Sequence, residues 1–350
     1  MVQMIWPGFK PEPALRIGNV EIDNPFILAP LAGLTNWPFR RLAKEAGAGL
    51  TVTEMASATA LAHRGKATLK LLETDLTVEK PFCVQLFGKD PDHLARAAQI
   101  AVDRGAGLID LNLGCPARKV VGSGHGSALL KDLPQVARIL KAMVKAVNVP
   151  VTVKTRPAFA PGVGGTVFDL LPILVGEGVA AVTLHGRTTS EGFAGEADWD
   201  LVARLAERSP IPVIGSGDIT TAAEAVDKLN RYGARAVMIG RGAKGRPWLF
   251  RQCLEVWRGG EAREETLEER LSTAERHARL LYESVGPQAA FMLRTVLMWY
   301  TKGLRGAAEF RAKLCREENL EIQLELLTRC VEHHRRESAL TEEGRPVAGG

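Results

Sequence analysis

The 350-residue sequence predicts an α/β protein, a (β/α)8 TIM barrel followed by a small C-terminal helical domain. Short apolar runs recur at intervals of roughly 25 to 45 residues, which suits a repeated strand–helix unit. Most runs are apolar throughout, as expected for parallel strands that are covered on both faces. After Phe250 these runs stop, and a helical pattern continues to about His334.

Eight apolar runs are the predicted strands. They are Phe26–Ala29, Leu50–Thr53, Phe82–Leu86, Leu108–Leu111, Val151–Val153, Ala180–Leu184, Ile211–Ile214 and Ala236–Ile239. Helical segments lie between them. Asp90 before Pro91 indicates an N-cap and a first helical residue, and Thr221 with Glu224 is typical of a capping box. Eight such units favour a closed barrel over an open doubly wound sheet, and we assign residues 1–255 to it.

The remainder of the chain is predicted to form a helical domain, residues 262–340, after a linker with the sequence RGGE, and to end in a flexible tail, 341–350. Within it, the segment Phe291–Arg316 contains six basic residues and one acidic residue. Arg294, Thr301 and Arg305 are predicted to lie near one helical face, with Lys302 beside it. This face suits a nucleic-acid backbone, although a merely solvated face would show the same pattern.

Composition excludes several classes of protein. Charged residues make up 24% and hydrophobic residues 46%, which is ordinary for a globular chain. No apolar run has the length of a membrane span, and the N-terminus lacks a signal-peptide core, so we expect a cytoplasmic protein. We also expect the free protein to be monomeric. Five scattered cysteines without a CxxC pair predict neither disulfides nor a metal site. The net charge of +5 favours an anionic partner.

In a barrel, the active site is built from the carboxyl ends of the strands. The segment DLNLGCPARK places Asn112 and Cys115 just after the fourth strand, with Arg118 and Lys119 nearby. A cysteine in a tight turn could equally be structural. Arg156 and Arg187 follow the fifth and sixth strands.

Glycine-rich loops follow the seventh and eighth strands, at the usual phosphate site of this fold. They contain Ser216, Gly217 and Asp218, and then Gly240 and Arg241. Glycine allows backbone N–H groups to approach phosphate oxygens, and arginine adds a charged donor. These glycines could also serve only tight turns.

Three further polar residues stand at the ends of the third, fifth and sixth strands, namely Gln85, Lys154 and His185. An amide, an ammonium and an imidazole suit a planar heterocycle, and a cation would stabilise its reduced form. Alternatively, Lys154 could be an ion-pair partner and His185 a core histidine. Together with the phosphate loops, the three residues predict FMN.

Several segments resemble one known family, the tRNA-dihydrouridine synthases, and most closely its bacterial B-type branch. They lie between residues 28 and 311 and read LAPLAGLTNWPFR, VQLFG, DLNLGCPARKV, GSALL, VTVKTR, LHGRT, GSGDI, VMIGRGAKGRPWLF and FMLRTVLMWYTKGLRGAAEFR. This resemblance implies an enzyme that reduces the C5–C6 bond of particular tRNA uridines, with FMN as cofactor and NADPH as transient reductant.

The resemblance also implies roles for individual residues. Cys115 would be the general acid. The flavin would lie on Pro30, Leu31 and Ala32, with Gln85, Lys154 and His185 at its ring and the two glycine-rich loops at its phosphate. The residues predicted to contact the uridine or the tRNA are Asn112, Arg118, Lys119, Arg156, Arg187, Arg294, Lys302 and Arg305.

Three positions depart from the family pattern: Ser216 stands where asparagine is usual, TRPAF follows the fifth strand, and the loop after Cys115 is rich in glycine.

Two other functions stay open on the residues alone. One is an FMN barrel that acts on a small molecule, of the dihydroorotate or ene-reductase type. The other is a tRNA-binding protein without catalysis.

Overall fold

The computed structural model describes residues 15–342 and contains the predicted barrel. Eight parallel strands pair in a closed ring, because β11 pairs with β3 and β4 pairs with β6. All eight predicted strands are present, with small shifts at their ends. The strands in chain order are β1 (Leu15–Ile17), β2 (Val20–Ile22), β3 (Phe26–Leu28), β4 (Leu50–Val52), β5 (Ala56–Ser57), β6 (Phe82–Phe87), β7 (Leu108–Leu113), β8 (Val151–Thr155), β9 (Ala181–His185), β10 (Val213–Ser216) and β11 (Ala236–Ile239).

A helical connection follows each barrel strand. Both predicted helix starts are confirmed: the Asp90 side chain accepts from the N–H of His93, and Thr221 and Glu224 form a capping box. The helices are α1 (Trp37–Glu45), α2 (Ala58–Ala62), α3 (Lys66–Lys70), α4 (Pro91–Asp103), α5 (Arg118–Gly122), α6 (Leu133–Ala146), α7 (Val167–Gly176), α8 (Trp199–Arg208), α9 (Ala222–Arg231), α10 (Leu249–Trp257), α11 (Leu267–Val285), α12 (Ala289–Tyr300), α13 (Ala307–Leu314) and α14 (Leu320–Glu342). Short 3-10 helices cover Gly126–Lys131, Arg241–Ala243 and Gly286–Gln288.

An antiparallel hairpin, β1 with β2, precedes the barrel, and the sequence pattern does not predict it. Its side chains Leu15, Ile17 and Ile22 are buried in one cluster with residues that line the barrel. Its turn at Gly18 lies against Pro150, which directly precedes β8. The hairpin therefore covers the amino-terminal end of the barrel and leaves the carboxyl ends of the strands as the open face.

The chain divides into two compact units. Residues up to Gly242 together with Leu249–Glu261 form the barrel unit, and Ala243–Trp248 together with the residues from Ala262 onward form the helical unit. The short segment before α10, which the sequence pattern assigns to the barrel, thus clusters with the helices. In the helical unit, four apolar residues of α12 and the connection after it are buried: Leu293, Leu297, Tyr300 and Leu304.

The predicted basic helical face does not exist as one face. Helix α12 ends at Tyr300, and Thr301 is its buried C-cap. Gly303 and Gly306 follow with left-handed backbone angles, and Gly306 is the N-cap of α13. Arg294 therefore lies on α12, whereas Lys302 and Arg305 lie in the following connection.

The predicted tail, 341–350, falls almost wholly outside the described residues, which end at Glu342. Within residues 15–342, none of the helices combines the length and the apolar character needed to cross a membrane. The same residues contain no cluster of three or more His, Cys, Asp or Glu side chains that could hold a metal ion.

A buried ion pair ties the barrel's first helix to the segment before β6. Arg40 Nε lies 2.6 Å from Glu79 Oε1, and both side chains are almost fully excluded from solvent. The guanidinium also donates to the carbonyl of Thr35, and the carboxylate accepts from the hydroxyls of Thr51 and Thr74. Every polar group of the pair thus has partners, which a buried charge requires.

We expect Arg40→Met to lower the unfolding free energy by about 3–5 kcal/mol, because the Glu79 carboxylate would stay buried without its counter-charge. Arg41→Met is the matched control, since Arg41 pairs with Glu45 in the same helix but is partly exposed. That change should cost less than about 1 kcal/mol. Urea denaturation measures the unfolding free energy of both variants. Equal losses in the two variants would contradict the special contribution of the buried Arg40–Glu79 pair.

Candidate active site

Neighbouring strands bring the predicted site residues together at the open end of the barrel. In the parallel register, Gln85 pairs with Asp110, and Asn112 pairs with Lys154. His185 at the end of β9 pairs with Ser216 at the end of β10. Residues that are distant in sequence therefore share one edge, as the barrel predicts.

The loop that carries Cys115 is held at three points. The backbone N–H of Cys115 donates to Asn112 Oδ1 (2.9 Å), and its carbonyl accepts from Ser127 Oγ (2.9 Å). Arg156 Nε donates to the carbonyl of Gly114 (2.8 Å). The thiol is free of any disulfide and half-buried. The structure thus fixes the backbone around a thiol that is still accessible.

Lys154 lies at the open end of the barrel, called the mouth below, and its ammonium lacks a protein partner. Within residues 15–342 its ammonium makes no hydrogen bond and no ion pair. Burial, followed by the positive charge of Arg156, lowers the pKa of Lys154 to about 8, although Asp110 opposes the shift. A half-buried cation with unused donors suits an anionic or carbonyl-bearing ligand.

His185 is a neutral imidazole. Burial, followed by the positive charges of Lys154 and Arg156, lowers the pKa of His185 to about 2. Its Nδ1 lies 3.3 Å from the backbone N–H of Arg187 and accepts from it. The ring proton therefore belongs on Nε2, which makes His185 a hydrogen-bond donor through that atom.

The loop after β10 has the shape of an anion site but not all the roles predicted for it. Gly217 has a φ of 130°, and a side chain there would lie only 2.5 Å from Cβ of Ala197. The Asp218 carboxylate accepts two hydrogen bonds from Arg187, at 2.8 and 2.7 Å, and one from the N–H of Ala197. Burial alone would raise the pKa of Asp218, but these bonds outweigh it and the pKa is lowered. The side chain is therefore unavailable to a phosphate, and only its backbone could serve.

The other predicted phosphate residues differ in exposure. Ser216 is buried, and its hydroxyl donates to the carbonyl of Met238. Gly240 directly follows β11. Arg241 is exposed, lies 3.3 Å from Asp218, and stacks at 4.5 Å over the ring of Phe193. Arg241 is thus the charged donor of this loop that remains open to solvent.

Arg156 and Arg187, predicted to contact the substrate, are internal braces. Each is 3% exposed. Arg156 donates to the carbonyls of Gly114, Arg187, Thr188 and Gly192. Arg187 donates to carbonyls of its own loop and to Asp218. Buried guanidinium groups must satisfy their donors internally, and the sequence pattern does not reveal this.

The remaining predicted contacts lie on the surface or near it. Pro30, Leu31 and Ala32 directly follow β3, where the N–H of Leu31 donates to Thr35 Oγ1. Arg118 and Lys119 are exposed in the first turn of α5. In the helical unit, Lys302 is exposed, whereas Arg294 donates to the carbonyl of Glu317 and to Glu318, and Arg305 donates to the carbonyl of Glu337.

Sequence reasoning missed three residues of this mouth. Asp110 is buried within β7, and an acid inside an apolar run was the available signal. Glu54 accepts from the N–H of Gly33; burial raises its pKa, although this hydrogen bond opposes the rise. Phe193 is 54% exposed beside His185, at a ring-centroid distance of 6.3 Å. Nothing in the sequence marked Phe193, because its loop carries no motif.

Comparison with known proteins gives one consistent result. A sequence model described as "Dihydrouridine synthase (Dus)" matches residues 27–336. A "Probable tRNA-dihydrouridine synthase" of Rickettsia conorii is 40% identical over 302 residues, which cover 85% of this chain and 90% of that protein. The "tRNA-dihydrouridine synthase B" of Xanthomonas axonopodis pv. citri is also 40% identical, over 89% of this chain and 94% of that protein.

Solved structures that resemble this chain share its fold at low sequence identity. An old yellow enzyme homologue from Zymomonas mobilis superposes with a TM-score of 0.51 at 14% identity, over 73% of this chain and 94% of that one. A 2-naphthoyl-CoA reductase superposes with a TM-score of 0.56 at 13% identity, over 70% and 52%. They confirm the barrel and carry no information on the substrate.

Lys154 provides a pH test of this geometry. In the flavin-free protein its ammonium should lose its proton with a midpoint at about 8, and not at the ordinary 10.5. Because the folded pKa is the lower one, the unfolded chain binds more protons in this window, and the contribution of Lys154 to stability rises with pH there. NMR of ¹³C-methylated lysines measures the midpoint, and Lys154→Met identifies the signal. A midpoint at 10.5 or above would contradict the buried, unpaired environment.

Proposed function

This chain belongs to the dihydrouridine synthase family, and we propose that it reduces uridines in tRNA to dihydrouridine, with FMN as its flavin and NADPH as electron source. The observation that carries the proposal is the accessible Cys115 thiol on a loop braced at three points, beside Lys154 and His185. We expect the enzyme to act in the cytoplasm, where its tRNA substrate is.

The residues of the mouth fit a flavin mononucleotide. Lys154 has unused donors, and His185 offers its Nε2 proton. The backbone around Gly217 and the exposed guanidinium of Arg241 would hold one phosphate group. Gln85, Lys154 and His185 would contact the ring, and Pro30, Leu31 and Ala32 would lie beneath it. Bound FMN would supply the hydride that is added to C6 of the uracil.

Cys115 would donate the proton that C5 requires. For this role the thiol must be protonated when the uridine arrives, in contrast to a nucleophilic cysteine, which reacts as thiolate. Asn112, through its bond to the Cys115 N–H, would keep the donor in place. The neutral His185 would bind without competing for that proton, since its pKa lies far below neutrality.

The tRNA must bring its uridine out of the base stack to reach this mouth. Phosphates would be contacted by exposed cations, of which Arg118 and Lys119 on α5 and Lys302 in the helical unit make no ion pair within the described chain. Arg294 and Arg305 could contribute only by exchanging bonds they already make. This distribution favours recognition of the RNA backbone.

The proposal is tested by comparing wild-type protein with Cys115→Ala. Wild-type protein should be yellow, release FMN on denaturation and be bleached by NADPH. In Cys115→Ala, NADPH should still reduce the flavin at a near wild-type rate, while dihydrouridine formation slows by roughly 10²–10⁴-fold, the usual effect of losing a positioned general acid. Both half-reactions are followed by stopped-flow absorbance and by nucleoside analysis of tRNA.

Cys315→Ala is the control, because Cys315 is an exposed thiol in the helical unit. It should leave both half-reactions unchanged. A protein that binds FAD or no flavin would refute the cofactor assignment. Normal dihydrouridine formation by Cys115→Ala would show that this cysteine is only a turn residue.

A salt series tests the tRNA interface. The triple variant Arg118→Ala, Lys119→Ala, Lys302→Ala should weaken tRNA binding and flatten its dependence on salt by about one unit of slope for each phosphate that is no longer neutralised. The control removes Lys313 and Arg329, which are already paired with Glu309 and Glu325. If both variants change the slope equally, these three cations do not bind the tRNA phosphates.

A further inference from the structure

A chain of side-chain hydrogen bonds connects a buried carboxylate to the Cys115 loop. Gln85 Nε2 donates to Asp110 Oδ2 at 2.7 Å. Asn112 Nδ2 donates to Gln85 Oε1 at 2.8 Å. Asn112 Oδ1 then accepts from the backbone N–H groups of Gly114 (3.1 Å) and Cys115 (2.9 Å). Two neighbouring strands thus share one continuous set of donors and acceptors.

The orientation of each amide in this series of hydrogen bonds follows from the backbone N–H groups of the Cys115 loop. A backbone N–H can only donate, so the oxygen of Asn112 must face the Cys115 loop and its nitrogen must face Gln85. The oxygen of Gln85 must then face Asn112, and its nitrogen must face Asp110. At the near end, Asp110 also accepts from Thr152 Oγ1 at 2.6 Å. Each amide therefore has one orientation that satisfies both of its neighbours.

Burial makes the wrong orientation costly. Gln85, Asp110 and Asn112 are 1%, 3% and 7% exposed. Burial raises the pKa of Asp110, whereas the hydrogen bonds from Gln85 and Thr152 oppose the rise and favour the carboxylate. A reversed Gln85 would place its oxygen against that carboxylate and its nitrogen against the nitrogen of Asn112, where water cannot compensate. The chain therefore locks Gln85 from both sides.

We propose that Asp110 and Asn112 are positioning residues that fix which end of the Gln85 amide faces the flavin, and that they join this contact to the Cys115 loop as one unit. The flavin part of this inference rests on the proposed function, whereas the lock itself does not. Asp110 acts through Gln85 and contacts neither cofactor nor uridine in this scheme.

Exchanging the acid and the amide tests the lock. Asn112→Asp should lower the melting temperature by several degrees, because two acceptor-only carboxylates would then flank Gln85 and one of them must face its oxygen. Asp110→Asn should change the melting temperature little, since the asparagine oxygen can still accept from Gln85. The double variant should regain near wild-type stability, because a reversed Gln85 then satisfies both neighbours.

Flavin binding separates positioning from stability. In the double variant Gln85 is reversed, so titration of flavin-free protein with FMN should show a dissociation constant raised about tenfold, as for one missing hydrogen bond in a buried site. The flavin absorption bands should shift as well. Asp110→Asn alone keeps the original orientation and should bind FMN within about threefold of wild type, which would show that loss of the carboxylate at position 110 does not itself weaken FMN binding.

Thr152→Val is the matched control. It removes the other hydrogen bond to the Asp110 carboxylate but leaves the chain intact. Thr152→Val should lower stability modestly, and it should not restore the melting temperature that Asn112→Asp lowers. Additive melting shifts in the Asp110→Asn, Asn112→Asp double variant would refute the lock. Restored stability with wild-type FMN affinity would refute the positioning role. If wild-type protein bound no FMN, the proposed function would fail. The melting temperature of the double variant would still test whether Asp110 and Asn112 fix the orientation of Gln85.

Discussion

The paired hydrogen bonds between Arg187 and Asp218 hold the open end of the barrel in its observed shape. They join the loop after β9 to the loop after β10, and Asp218 also fixes the N–H of Ala197. Arg156 extends the connection, because it donates to carbonyls of the β9 loop and to Gly114 beside the reactive cysteine. Loops after four consecutive strands thus depend on two buried guanidinium groups, which have no low-energy alternative once they are dehydrated.

The strands and the positions at their ends could be predicted from the sequence, whereas the internal pairing of the charged residues could not. The strands were predictable because parallel strands of a barrel are uniformly apolar, and their order then places Gln85, Lys154 and His185 at one edge. The roles of Arg156, Arg187 and Asp218 could not be predicted. A sequence shows the charge of a residue, but it does not show whether that charge is already paired within the protein. The predicted basic helical face was wrong for a local reason: α12 ends at Tyr300, so Lys302 and Arg305 lie in the connection that follows it.

Fold and family carry different information for this chain. The solved barrels share its architecture at 13–14% identity, so they establish the scaffold alone. The relatives at about 40% identity cover most of the chain, and the family model matches residues 27–336, which include most of the helical unit. The chemistry depends on the mouth itself, where an unpartnered ammonium, a neutral imidazole and a braced thiol occur together.

The two perturbed bases of the mouth keep their charge states over a wide range of acidity. Lys154 gains its proton below a pKa of about 8, and His185 gains one only below about 2. Well inside these limits, Lys154 stays mostly protonated and His185 stays neutral. The mouth thus offers a polyanion the same single positive charge from these two groups in acid and in neutral solution, so an acidified cell would alter the solvent around this pair without altering the electrostatic potential that the pair creates.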